Sequence, residues 1–178
     1  SFVDYVTLSP NRKMTLDEYL EKVYHPLLDK LSSGTHTQER AVYEIMGRAY
    51  RNGISHMELR GNIMKYNNDG AQDLDYIILS MLRGMERAFL EYPKLSGGLI
   101  FCLAREFSYE KNKIIVEKAI RYHKRGVVGI DIAGPATKGF QMKDYTSLFK
   151  QAKDAGLFFT THSGEVKEAF KKKNQRIL

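Results

Sequence analysis

From residue 54 onward, short apolar segments and amphipathic stretches take turns along the chain, and this alternation leaves few architectures open. Ile54-Ser55-His56-Met57-Glu58-Leu59-Arg60 alternates with period two and predicts a strand. Residues 61–70 read as a polar loop, and a long amphipathic helix follows from about 72 to 90, ended by Pro93. Next come a strand over 99–103, a helix opened by Ser108 and stopped by Gly126, and a strand over 127–132. A helix over 143–155 stops at Gly156, and the strand 157–161 follows. A short helix near 166–172 precedes the apolar Ile177-Leu178. Strands and helices in this order, with mostly short connections, predict an α/β fold with a parallel sheet and helical crossovers.

The first 53 residues are helical in pattern. Thr15-Leu16-Asp17-Glu18 is a capping box, with Thr15 as the N-cap and Glu18 reaching back to it. The helix it opens carries Leu16, Tyr19, Leu20, Val23 and Tyr24 on one face, and Pro26 is expected to bend or break it. A second helix is predicted over 37–51, before Gly53. No Gly-x-Gly-x-x-Gly or Walker loop follows any strand, so no nucleotide-phosphate cradle is signalled.

A chain of 178 residues with 43% hydrophobic and 28% charged residues has enough apolar material for one soluble globular domain. The single cysteine, Cys102, lies in the apolar run Leu99-Ile100-Phe101-Cys102-Leu103 and reads as a buried, inert thiol. One cysteine permits no disulfide framework, which suits a reducing compartment, and neither a signal peptide nor a membrane-length apolar run is visible. A cytoplasmic location is the expectation. The formal net charge of +7 invites a nucleic-acid reading, with Lys167 and Lys171-Lys172-Lys173 as its one cluster. The other basic residues alternate with acids along the helices, the pattern of a solvated face, so neither a nucleic-acid nor a membrane partner is expected.

The strands have an unusual polarity. Strands of a parallel sheet are normally apolar throughout. Here the first carries His56, Glu58 and Arg60 on one face, the third ends in Asp131, the fourth ends in His162, and Arg105 lies just past the second. Buried between two apolar helix layers, each unpaired group would cost several kcal/mol, about 2–7 for a polar one. A closed barrel instead lets such groups face a polar site at the C-terminal rim of its strands. Glu58 and Arg60 are expected to join Arg105 and Asp131 in a structural ion-pair network. His162 is followed by Gly164, where the chain can turn, and by Glu165. A neutral imidazole binds metal, and a carboxylate beside it can carry protons, so the segment points to a metal-dependent hydrolase.

Two segments give this a family. Thr161-His162-Ser163-Gly164-Glu165 resembles the Thr/Val-His-Ala-Gly-Glu signature of the adenosine deaminase family of zinc-dependent amidohydrolases. Val127-Val128-Gly129-Ile130-Asp131-Ile132-Ala133-Gly134 resembles that family's Val-Val-Gly-Ile-Asp-Leu-Ala-Gly strand, at a fitting distance. The resemblance implies a (β/α)8 TIM-type barrel of which this chain covers roughly the middle strands and helices. Residues 1–53 would be the helical lid or cap, and 54–178 the consecutive β/α units.

The same resemblance implies Zn2+ as cofactor and a small-molecule purine nucleoside as partner, with adenosine hydrolysed to inosine and ammonia. His162 would be a zinc ligand, and Asp131 would support the metal site from behind. Glu165 would protonate the purine ring so that metal-activated water can attack. The Gly134 N–H would meet another ring nitrogen, and Leu16, Tyr19 and Leu20 would form an apolar subsite, although core packing explains that stripe equally well. The family's His-x-His pair, a later histidine and a later aspartate have no counterpart here, so the chain is expected to hold about half a barrel. Such a piece is not expected to bind catalytic zinc or to fold stably alone. His25, His36 and His123 are expected at the surface. Pro135-Ala136 stands where an acidic pair is common, which opens the alternatives of adenine or a modified aminopurine nucleoside as substrate. An inactive, truncated member acting as a binding protein is a further alternative.

Overall fold

A computed structural model describes residues 13–31, 34–67, 73–135 and 139–164. The chain forms two compact units, one of Ser1–Gly53 with Met64–Pro93, the other of Ile54–Ile63 with Lys94–Leu178.

The first unit is helical. Thr15 accepts from the Glu18 N–H, and the Glu18 carboxylate receives the Thr15 N–H at 3.0 Å, so the capping box forms and opens α1 (Leu16–Tyr19). Pro26 does not break the helix. A π turn over Leu20–Tyr24 carries it into α2 (His25–Leu31), with the His25 N–H donating to the Leu20 carbonyl five residues back. Proline lacks an N–H and its ring crowds the carbonyl four residues before it, and the wider π turn just upstream accommodates both demands. The next helix, α3 (Thr35–Arg51), starts two residues before the expected position, and α4 (Leu74–Glu91) is capped by Asp73, whose carboxylate accepts the Asp75 N–H at 2.9 Å. Gly84 is what lets α4 approach α3: a Cβ there would lie 2.3 Å from the Glu39 carbonyl oxygen. The contact is flanked by an Arg87–Glu39 ion pair at 2.8 Å and by a Tyr43 hydroxyl donating to Glu91.

The second unit contains the sheet. Strands β1 (His56–Gly61), β2 (Ser96–Ala104), β3 (Val127–Ala133) and β4 (Phe158–Phe159) are all parallel and lie in chain order, β1-β2-β3-β4. Each strand neighbours its successor, so among the described residues the sheet has no point where the order reverses, as it would in a doubly wound fold. This is the α/β, barrel-type arrangement. β4 is shorter than the expected 157–161, yet its pairing runs on: the Thr160 N–H donates to the Ile130 carbonyl at 3.0 Å and His162 N–H to Ile132 at 2.8 Å. Ile63, within the segment expected to be polar loop, is fully buried.

Helix α5 (Tyr109–Tyr122), capped by Ser108, lies between β2 and β3 in the chain, and α6 (Thr146–Asp154) between β3 and β4. Leu99, Phe101 and Leu103 of β2 and Ile132 of β3 are completely buried, as are Ile115, Val116 and Ala119 of α5. Each of the Leu, Ile, Val and Phe side chains among them stabilises the fold by about 1.5–3 kcal/mol. Asn112 is the polar exception in this layer. Its amide receives the Ala104 N–H and donates to the Ala104 carbonyl, at 3.0 and 2.9 Å, and also donates to the Tyr145 hydroxyl. One side chain thereby takes the place of a neighbouring strand at the end of β2.

Candidate active site

The register decides which side chains share a face. Cys102 pairs with Asp131, Arg60 with Ile100, and Gly129 with Phe158. Since strand side chains alternate, Arg60, Cys102, Asp131, Thr160 and His162 lie on the face opposite Leu99, Phe101 and Leu103. Of the polar residues singled out from the sequence, Arg60, Asp131 and His162 thus share one side.

Asp131 is the hub. It is fully buried, and its carboxylate accepts the Thr160 hydroxyl on Oδ1 at 2.9 Å and the Cys102 thiol on Oδ2 at 3.5 Å. Arg60 Nη1 stands 3.4 Å from Oδ2 and His162 Nδ1 stands 2.7 Å from it. The His162 contact has the length of a hydrogen bond but not its direction, and the buried Nδ1 has no aligned acceptor. Proximity to the carboxylate favours the tautomer protonated at Nδ1, which leaves the Nε2 lone pair for a ligand. The imidazole therefore fits a metal. Among the described residues no group of three or more His, Cys, Asp and Glu could hold one.

Arg105 binds the backbone beyond the ends of two strands. Its guanidinium donates to two backbone carbonyls, Gly134 at 2.6 Å and His162 at 2.5 Å, while its N–H donates to Ala133 at 3.0 Å. Arg60 does pair with Asp131, as expected, whereas Glu58 lies 3.8 Å from His56 on an exposed stretch of β1. Gly134 has φ +89, a conformation that favours glycine, and the mobile end of the Glu106 side chain lies where a Cβ would stand. Gly164 also has positive φ, the turn expected after His162, and Glu165 lies outside the described residues.

Leu16, Tyr19 and Leu20 belong to the other unit, where all three are half-buried and Val23 beside them is buried. His25 and His36 are exposed as expected, but His123 is half-buried and its Nδ1 lies 3.0 Å from the Val127 carbonyl oxygen, which ties the end of α5 to the start of β3. The cluster Lys167 with Lys171 to Lys173 lies outside the described residues. Sequence reasoning missed Thr160, the proximity of Cys102 to Asp131, and Glu106. Only the pairing register, which no local motif encodes, puts Thr160 and Cys102 beside Asp131.

Known proteins bear on this geometry. The adenosine deaminase of Clostridium perfringens strain 13 is 28% identical over 156 residues, covering 88% of this chain and 46% of that protein. The N6-methyl-AMP deaminase from Arabidopsis thaliana, in its apo structure, superposes with a TM-score of 0.71 at 23% identity, over 85% of this chain and 46% of that one. A zinc-bound amidohydrolase from Burkholderia ambifaria gives 0.68 at 19% identity, over 92% and 47%. These likenesses establish the barrel-type fold, and the chain spans about half the length of the curated relatives it matches. The family model described as adenosine deaminase matches residues 3–172, nearly the whole sequence, and the chain belongs to that family of hydrolases.

Proposed function

We propose that the protein is a zinc-dependent deaminase that hydrolyses adenosine to inosine and ammonia in the cytoplasm. The observation that carries this reading is the buried carboxylate of Asp131, 2.7 Å from His162 Nδ1 on the polar face of the sheet. That arrangement suits a histidine whose other nitrogen binds a metal. Zinc held by His162 and further ligands would supply a water acidified to a pKa of about 7.

The chain's own residues do the rest. Asp131 sets the orientation of the His162 ring and its tautomer. Glu165 carries a proton to a purine ring nitrogen as water adds to the amino-bearing carbon, which lowers the cost of breaking aromaticity. The Gly134 N–H donates to a second ring nitrogen, and no side chain at that position stands in the way. Leu16, Tyr19 and Leu20 offer the purine an apolar surface. No helix among the described residues is long and apolar enough to cross a membrane.

A second reading replaces adenosine by adenine or a modified aminopurine. Pro135-Ala136 beside Gly134 favours it, since the acidic pair common there is missing, and a fold neighbour is named as an N6-methyl-AMP deaminase. Ammonia release by the full-length protein from adenosine, adenine and N6-methyl-AMP, with and without a zinc chelator, separates the readings. Chelator-sensitive release from adenosine above the others supports the first. Preference for another aminopurine supports the second, and no release from any removes both.

A further inference from the structure

We infer that Arg105 is a positioning residue that sets the spacing between the ends of β3 and β4, and through it the relative placement of the Gly134 N–H and the His162 imidazole. The inference rests on the roles proposed above for those two residues. At the C-terminal end of a parallel sheet the ladder runs out, and carbonyl oxygens there need donors from elsewhere. Arg105 supplies them to two strands at once: Nη1 donates to the Gly134 carbonyl at 2.6 Å and Nη2 to the His162 carbonyl at 2.5 Å. Its own N–H holds the Ala133 carbonyl at 3.0 Å, so the side chain leaves the sheet from a fixed point. That point is fixed a second time by Asn112, which pairs with both backbone groups of Ala104.

A guanidinium is rigid and planar, with its N–H groups at set angles. Two of them bonded to carbonyls on different strands fix a distance as well as a contact. Lysine carries a charge of the same sign but has no fork to bridge both carbonyls. The contacts fall on the two residues whose placement matters most to the proposed chemistry. The Gly134 carbonyl belongs to the residue whose N–H would meet the purine, and the His162 carbonyl belongs to the metal-binding residue itself.

The test uses the full-length protein with Arg105→Lys and Arg105→Ala. Zinc affinity is read by chelator competition, kcat and KM on the best aminopurine, and backbone hydrogen exchange at residues 132–135 and 160–164. Arg105→Lys is expected to lower zinc affinity or kcat/KM by about 10–100-fold, the range seen when groups supporting a metal ligand are lost. Exchange should quicken at those two segments alone, and the melting temperature should stay close to wild type. Guanidinium ion added to Arg105→Ala should restore part of the loss, and ammonium should not. The inference is overturned if Arg105→Lys keeps wild-type zinc affinity, kcat/KM and exchange, or if the losses follow global unfolding with no rescue by guanidinium. A wild-type protein that turns over no aminopurine would remove the proposed function, while local exchange in Arg105→Lys would still decide whether the clamp exists.

Discussion

The two faces of the sheet are made by the same strands, one residue out of step. On one face Leu99, Phe101, Leu103 and Ile132 are sealed from water beside the buried side chains of α5. On the other, Asp131 is equally buried but survives only through its partners, Thr160, Cys102, Arg60 and His162. The apolar face gains stability from every residue in it, and a substitution there leaves a cavity. The polar face has to offset the cost of burying a charge before it contributes anything, and groups kept on such terms tend to serve chemistry. Stability and function are therefore expected to separate by residue parity along each strand.

The largest effects should fall on opposite sides of this division. Glu165→Gln in the full-length protein should lower kcat for aminopurine deamination by about 10²–10⁴-fold, the usual cost of losing a general acid. Its urea midpoint should not move; a matching loss of stability would blur the division. Phe101→Ala should do the reverse, costing about 3–5 kcal/mol in urea unfolding while the protein that remains folded keeps its zinc affinity. A Phe101 variant that binds zinc poorly when folded would show that the two faces are not independent.

Asp131→Asn lies between these. It keeps the size of the side chain and removes the charge that His162 and Arg60 face, so activity and zinc affinity should fall about 10–100-fold. Stability should change by no more than about 1–3 kcal/mol, since the Thr160 bond can persist. Unfolding and metal titration on the same sample check both parts. The smallest effect should come from the helical unit. Hydrogen bonds from Tyr43 and then Tyr92 hold Glu91 below the ordinary carboxylate range, and the bond to Glu91 raises Tyr43 above the ordinary phenol range. The depressed Glu91 stabilises the fold above its unfolded value, about 4.3, and that contribution fades as pH falls through its folded value. The raised Tyr43 contributes below about pH 10, and its share fades as pH rises through its folded value. Tyr43→Phe should therefore narrow the gap to wild type only at those two extremes, as read by stability against pH.

Much of the architecture was legible because it is written locally. The capping box at Thr15, the stops at Gly126 and Gly156, and the period-two run from Ile54 each carry their meaning within a few residues. The parallel sheet followed from the alternation of strands and helices, and the charges at the strand ends favoured a closed barrel over an open sheet. What escaped depends on distance. Pro26 reads as a break until a π turn upstream absorbs it. His123 reads as a surface residue until Val127, across a turn, offers a carbonyl. Of the site, Asp131 and His162 announced themselves as polar residues at strand ends, and the register brings them together. Thr160 and Cys102 are ordinary strand residues until that same register sets them against Asp131. The Arg105 bonds to the Gly134 and His162 carbonyls escaped as well, because backbone carbonyls have no side-chain identity to read.

The central claim is that the polar face is a metal-dependent deaminase site, and His162→Ala in the full-length protein tests it most directly. Zinc content, adenosine turnover and melting temperature would be measured together on the variant and the wild type. The account predicts zinc-bound, active wild type and a variant that has lost both zinc and turnover while melting within a few degrees of it. A variant that keeps wild-type turnover, or that binds zinc as tightly as before, would contradict it.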